Sequence, residues 1–155
     1  MKKNKGITLI ALTVAIAIMI IISSMLVYSA KNGVKMRNLN LMYNDVEILT
    51  DKISSHYAKY GDIPIEIRYL GPINFIPNAN DSQEYYVIDL TALESITLNY
   101  GLDFNNIHSE EDTKTHDDVY IIDKQSHHVY YAHGIILDEI TYYTNETDAE
   151  INLYI

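Results

Sequence analysis

The hydrophobic positions of this chain change their pattern twice. Residues 7–30 form a continuous run without a charged side chain. From Val34 onward, apolar residues recur at spacings of three and four, which is the period of one helix face. After Gly61 they fall into short runs that are typical of β-strands. The pattern therefore predicts one long helix followed by a small β-rich domain.

The predicted helix runs from Ile7 to about Lys59. Gly61 and Pro64 follow it, and glycine and proline commonly stand just beyond a helix C-terminus. At about 1.5 Å per residue, the apolar run extends about 36 Å, enough to cross a hydrocarbon core of about 30 Å. The later stripe, which is expected to pack on the domain, comprises Val34, Leu39, Met42, Val46, Leu49, Ile53, Tyr57 and Tyr60.

The remaining pattern predicts a small antiparallel sheet, with its clearest hairpin across the turn 123–127. Asp89 or Thr91 is expected to cap a short helix through Leu93 to about Ile96. The fold class is α+β, with a long N-terminal helix packed on the sheet. Strands are predicted at Ile65–Tyr69, Tyr85–Ile88, Val119–Ile122, Val129–Ala132 and Ile140–Thr144.

Charge is distributed unevenly along the chain, which carries −10 in total. Three of the eleven basic residues are Lys2, Lys3 and Lys5, so the chain beyond residue 6 has eight basic against twenty-one acidic residues, or −13. A nucleic-acid-binding protein needs a basic surface, so this class is set aside. The absence of cysteine excludes disulfides, thiolate metal sites and a cysteine nucleophile.

The lysines before the apolar run predict a single-pass membrane protein with a cytoplasmic N-terminus and an exported C-terminal domain. A cleaved secretory signal has a shorter apolar core and a small-x-small cleavage site. The best candidate for such a site, Tyr28-Ser29-Ala30, has a bulky tyrosine at one small position. An uncleaved membrane anchor remains an alternative.

The stretch Lys5-Gly6-Ile7-Thr8-Leu9-Ile10 resembles the prepilin signal of type IV pilins and type II secretion pseudopilins. The resemblance implies a cut by prepilin peptidase between Gly6 and Ile7 and N-methylation of Ile7. The retained apolar helix would then assemble with other subunits, with Ile7, Thr8, Leu9, Ile10 and Ala11 at the assembly end. It further implies residence in the cytoplasmic membrane, followed by incorporation into an extracytoplasmic filament.

Ala11 departs from the pattern of this family, in which most members have glutamate at the fifth position after the cut. That glutamate is thought to pair with the N-terminal amine of a neighbouring subunit. Its absence is consistent with a minor or tip subunit or with a divergent branch. It also supports the alternative of an uncleaved, membrane-anchored extracellular binding or adhesion module. The predicted organisation is a leader (1–6), a transmembrane assembly helix (7–30), its amphipathic continuation (31–60) and an exported acidic domain (61–155).

No catalytic motif is recognisable in the sequence, so no enzymatic activity and no cofactor are predicted. Five histidines lie between His108 and His133 without the spacing of a metal site, and His127 and His128 are expected on opposite faces of a strand. The acidic segment 109–118 offers oxygen ligands for calcium, but it lacks the alternation and central glycine of an EF-hand loop. A solvated acidic loop is the favoured interpretation.

Overall fold

The computed structural model describes residues 5–73 and 83–145, and for residues 5–10 it describes the backbone alone. The sequence also predicts a loop at Gly71, Pro72, Pro77, Asn78 and Asn80, and the last three of these lie outside the described part. One α-helix, two short 3-10 helices and six strands are present in the described residues. Their bounds are α1 Lys5–Tyr60, β1 Ile65–Arg68, β2 Tyr85–Ile88, the 3-10 helices Leu102–Asn106 and Asp112–Lys114, β3 Tyr120–Asp123, β4 Val129–Tyr131, β5 Ile135–Leu137 and β6 Ile140–Tyr142.

The chain divides into two compact units, Met1–Met36 and Arg37–Ile155. The described residues of the first unit are all helical. Every side chain from Ala11 to Met36 is exposed, except the half-buried Asn32. The second unit contains the rest of α1, all six strands and the hydrophobic core.

Within the second unit, α1 buries a stripe against the sheet. Five predicted stripe residues are buried: Leu39, Met42, Val46, Leu49 and Ile53. The prediction was too long at both ends, because Val34 belongs to the exposed first unit and Tyr57 and Tyr60 are 48% and 58% exposed. These two rings contact histidines at the surface instead, Tyr57 against His127 and Tyr60 against His56.

The C-terminus of α1 agrees with the prediction from Gly61. This glycine has φ +78°, in the left-handed region that ends many helices. Its N–H donates to the carbonyl oxygen of Tyr57 at 2.8 Å, which satisfies one of the last helical acceptors.

The main sheet is antiparallel, with strand order β1-β2-β3-β4. The predicted hairpin is confirmed, since β3 pairs with β4 through Tyr120 opposite Tyr131 and Ile122 opposite Val129. Both faces of this sheet are covered. Ile122 belongs to the cluster that includes the α1 stripe, whereas Ile121 belongs to a second cluster with Tyr85 and Tyr130. Covering on both faces explains why every residue of β3 is buried.

The hairpin turn also corrects the placement of two histidines. Asp123 accepts hydrogen bonds from the N–H of Gln125 at 2.8 Å and the hydroxyl of Ser126 at 3.0 Å, which closes the turn locally. His127 has φ +61° and, like His128, lies in the turn region rather than in a strand. The expectation that they occupy opposite strand faces was therefore wrong.

The predicted short helix after Asp89 does not form. The carboxylate of Asp89 accepts hydrogen bonds from the N–H groups of Thr91 at 2.9 Å and Ala92 at 3.3 Å, as a helix cap would. The chain then continues as turns, and Ser95 takes a left-handed φ of +52° that is incompatible with a right-handed helix. The cap signal was genuine, but the segment after it is too irregular to extend into a helix.

The last predicted strand exists as β6, but it does not join the main sheet. It pairs with β5 in a separate two-stranded sheet, with Ile135 opposite Tyr142. The strand β5 was not predicted. Between them, Asp138 and Glu139 both have positive φ, which makes the two-residue turn of a tight hairpin.

Candidate functional site

The apolar part of α1 is the largest exposed hydrophobic feature in the described chain. Its large apolar side chains are between 49% and 68% exposed. Soluble monomers rarely expose contiguous apolar surface on this scale, so such a surface indicates contact with lipid or with another protein. The residues are Leu12, Val14, Ile16, Ile18, Met19, Ile20, Ile21, Ile22, Met25, Leu26, Val27 and Tyr28.

By length and composition, the described residues contain one helix that is long and apolar enough to cross a membrane. The polar groups inside the apolar run are hydroxyls, and Ser24 donates its hydroxyl to the carbonyl oxygen of Ile20 at 2.7 Å. Such a bond satisfies the hydroxyl within its own helix, as a lipid environment requires. Tyr28 and Lys31 follow at the end of the run, where aromatic and basic side chains commonly lie at a membrane interface.

One side of this helix has a shallow depression in its surface. The residues that line it include the small Ser23 and Ser24 and the larger Met19 and Val27. Small residues at this kind of position allow helix backbones to approach closely in membranes. The first unit therefore offers exposed apolar area and small residues, both of which suit helix packing in a membrane.

The predicted processing residues lie at the beginning of α1. The backbone of Gly6 and Ile7 is helical, as is that of Thr8, Leu9 and Ile10, and the side chain of Ala11 is exposed. Lys2 and Lys3 lie outside the described residues. A glycine in a helix costs roughly 0.5–1 kcal/mol relative to alanine, so Gly6 weakens the first turn at the predicted cut.

A buried carboxylate that the sequence pattern did not reveal connects α1 to the rest of the second unit. Asp45 is fully buried on the helix. Its Oδ2 accepts hydrogen bonds from the backbone N–H of Asn99 at 2.7 Å, that of Tyr100 at 3.0 Å and the hydroxyl of Tyr120 at 2.9 Å. Its Oδ1 accepts a fourth from the side-chain amide of Asn99 at 2.7 Å. Asp45 thereby holds the loop at 99–100 and strand β3 against the helix.

Asp118 makes a second connection close to the first. It accepts hydrogen bonds from the Gly101 N–H at 2.7 Å and the Tyr131 hydroxyl at 2.8 Å. The ring of Tyr131 lies 5.1 Å from that of Tyr120. Burial raises the pKa of both phenols well above the ordinary value, and the neighbouring carboxylates add to the effect. Because both carboxylates already accept hydrogen bonds from the protein, we assign this cluster a structural role.

The acidic segment 109–118 also uses its carboxylates internally. Asp112 accepts hydrogen bonds from the His108 N–H at 3.0 Å and the Ser109 hydroxyl at 2.9 Å. The hydrogen bond from the His108 N–H contributes most to lowering the pKa of Asp112, and the bond from the Ser109 hydroxyl lowers it further. In the part of the chain that the structure describes, no group of three or more histidine and acidic side chains has the geometry of a metal site.

No protein-family model, no curated protein sequence and no solved structure matches this chain. In the α+β domain, the carboxylates of Asp45, Asp118 and Asp112 accept hydrogen bonds from other groups of the protein. The exposed apolar part of α1 has no other element of the described chain packed over it, and it is the feature from which we infer function.

Proposed function

We propose that this protein is a pilin-like or pseudopilin subunit, processed after Gly6 and assembled through α1 into a type IV pilus-type or secretion filament. One observation carries the proposal: a continuous uncharged helix with every side chain exposed from Ala11 to Ala30, directly after a lysine-rich leader that ends in glycine. A helix of this kind needs an apolar environment, and both a bilayer and a bundle of identical helices provide one.

The two environments define two stages. In the membrane, lipid would cover the apolar surface and the lysines would hold the N-terminus at the cytoplasmic face. Prepilin peptidase would then remove residues 1–6 on that side and leave Ile7 as the new N-terminus. In the filament, neighbouring helices would replace the lipid, and the acidic domain would remain outside. The same apolar surface would thus be covered in both stages.

Ala11 gives the proposed subunit an unusual chemistry at the assembly end. Its methyl side chain cannot pair with the charged N-terminal amine of an adjacent subunit. An unpaired charge in hydrocarbon costs about 2.5 kcal/mol or more. This favours a minor or tip subunit, or an assembly in which other charges supply the register.

The second candidate function is an uncleaved single-pass anchor that displays the acidic domain as a binding or adhesion module. Ala11 is the observation that favours it, because a static anchor has no need of the missing carboxylate. The anchored protein would keep residues 1–6 and remain dispersed in the membrane. Retention of the leader therefore separates the two functions directly.

The test is the intact mass of the full chain recovered from membranes of a host that contains a prepilin peptidase. We expect loss of residues 1–6 and addition of one methyl group at Ile7. A Gly6→Val variant should keep its full-length mass, since the larger side chain blocks the cut. A known prepilin expressed in the same host controls for peptidase activity. An unchanged mass, in cells that process the control prepilin, would leave the anchor as the function.

A further inference from the structure

Two lysines stand one helical turn apart just after the apolar run. Lys31 and Lys35 are both exposed and lie at i and i+4 on α1, so they share one face. Neither forms an ion pair with any residue of the described chain. The first unit thus has, near its end, a pair of cations with a defined spacing and no ion-pair partner among the described residues.

A pair of acids with the same spacing occurs later on the same helix. Glu47 and Asp51 are exposed, again at i and i+4, and neither forms an ion pair within the described residues. The third acid of α1, Asp45, is buried and fully engaged in the network described above. Glu47 and Asp51 are therefore the acids of α1 that a second molecule can reach.

We propose that Lys31 and Lys35 of one copy pair with Glu47 and Asp51 of the next copy in the assembled filament. This inference rests on the proposed function, and it assigns the assembly register to charges outside the apolar run. When two parallel α1 helices are shifted by sixteen residues, Lys31 of one copy lies beside Glu47 of the next, and Lys35 lies beside Asp51. Both pairs form at the same shift because the two residues of each pair are sixteen positions apart in the sequence. Both pairs form together only at this shift, since a shift of 12 or of 20 residues keeps a single pair, Lys35 with Glu47 or Lys31 with Asp51.

The chemistry of the contact fits a growing assembly. The cationic and acidic pairs are different surfaces of one chain, so the contact is heterologous and repeats from copy to copy instead of closing into a dimer. A shift of zero or four residues brings lysine beside lysine and acid beside acid, and these like charges repel each other. This supplies the register that Ala11, without a carboxylate, does not provide.

The first test is site-directed cross-linking of the full chain in its native host. The chain contains no cysteine, so only the introduced cysteines of this protein can react with the cross-linker. The double variant Lys31→Cys, Glu47→Cys is treated with a short bis-maleimide. This reagent spans a longer distance than a direct disulfide, which requires the two Cα atoms to lie within about 7 Å. The Lys35 and Asp51 charges remain to hold the register. We expect a ladder of dimers, trimers and higher species on denaturing gels.

The matched control is Lys31→Cys with Asn40→Cys, since Asn40 is exposed two turns before Glu47. A ladder of equal intensity in this control would overturn the register. Absence of a ladder in the first variant, in cells where its leader is removed, would overturn the pairing and leave lipid headgroups or another protein as the partner of the lysines. Retention of the leader in the wild-type chain would instead show that the proposed function, and with it this inference, is wrong.

A charge exchange gives a second, independent measurement. Lys31→Glu with Lys35→Glu should reduce the protein in the sheared filament fraction by about tenfold, the combined size expected for two exposed ion pairs. Adding Glu47→Lys and Asp51→Lys to that variant should restore the yield. Full yield from the first variant, or no recovery in the exchanged one, would refute the pairing.

Discussion

The network around Asp45 leads to a prediction whose size follows from its hydrogen bonds. In the Asp45→Ala variant, two backbone N–H groups, the Tyr120 hydroxyl and the Asn99 amide all lose their acceptor. The Tyr120 bond is fully buried and the other three are partly buried. Since a buried donor left without a partner costs about 1–3 kcal/mol, we expect a loss of roughly 3–5 kcal/mol in the free energy of unfolding.

The conservative variant Asp45→Asn should lose much less. Its amide oxygen can occupy the position of Oδ2, where three of the four donors converge. The Asn99 side chain can turn its own amide so that its oxygen accepts from the new NH₂ group. The remaining cost is the weaker hydrogen bonding of a neutral acceptor, about 1–2 kcal/mol.

The assay is urea denaturation of the full chain in detergent, followed by near-ultraviolet circular dichroism of the tyrosines. With a urea dependence of about 2 kcal/mol per molar, the midpoint should fall by about 2 M for Asp45→Ala and by about 0.5–1 M for Asp45→Asn. Asn44→Ala, one residue away and exposed, is the matched control and should change stability by no more than about 0.5 kcal/mol. If Asp45→Ala resembles the Asn44 control, the network does not hold the helix to the sheet and this reasoning fails.

Two further predictions concern the domain. Burial raises the pKa of Tyr69 to about 12 and also raises that of Tyr131, so the folded state keeps protons that the unfolded state releases near pH 10. Stability should be fully present below pH 10 and decline above it. The phenolate absorbance that a Tyr69→Phe variant lacks relative to the wild-type chain should rise together with unfolding, and a difference that appears near pH 10 in the folded protein would contradict the burial. Gly134→Ala should destabilise more than Gly61→Ala in urea melts, because both have positive φ but a Cβ at Gly134 would lie 2.6 Å from the Thr141 methyl. Equal losses would show that the crowding has no effect.

The sequence determined the features that depend on local pattern and chain composition. The α1 stripe from Leu39 to Ile53 and the hairpin of β3 and β4 follow from periodicity, because side chains return to the same face every 3.6 residues in a helix and every two in a strand. Gly61 as the end of α1 follows from the backbone freedom of glycine. That the apolar run can cross a membrane likewise follows from its length and its lack of charge, and both are properties of that segment alone.

Tertiary structure decided what depends on residues far apart in the chain. Asp45 meets Tyr120 across 75 positions. Its spacing of three from Met42 and four from Leu49 places it at the edge of the stripe, but its own segment does not identify the groups that bind it. The division of the strands into two sheets, with β6 beside β5, was likewise a choice between pairing partners of similar composition. Tyr57 and Tyr60 continue the period of the stripe but are exposed, because helical periodicity defines a face and the packed domain defines how much of that face is covered.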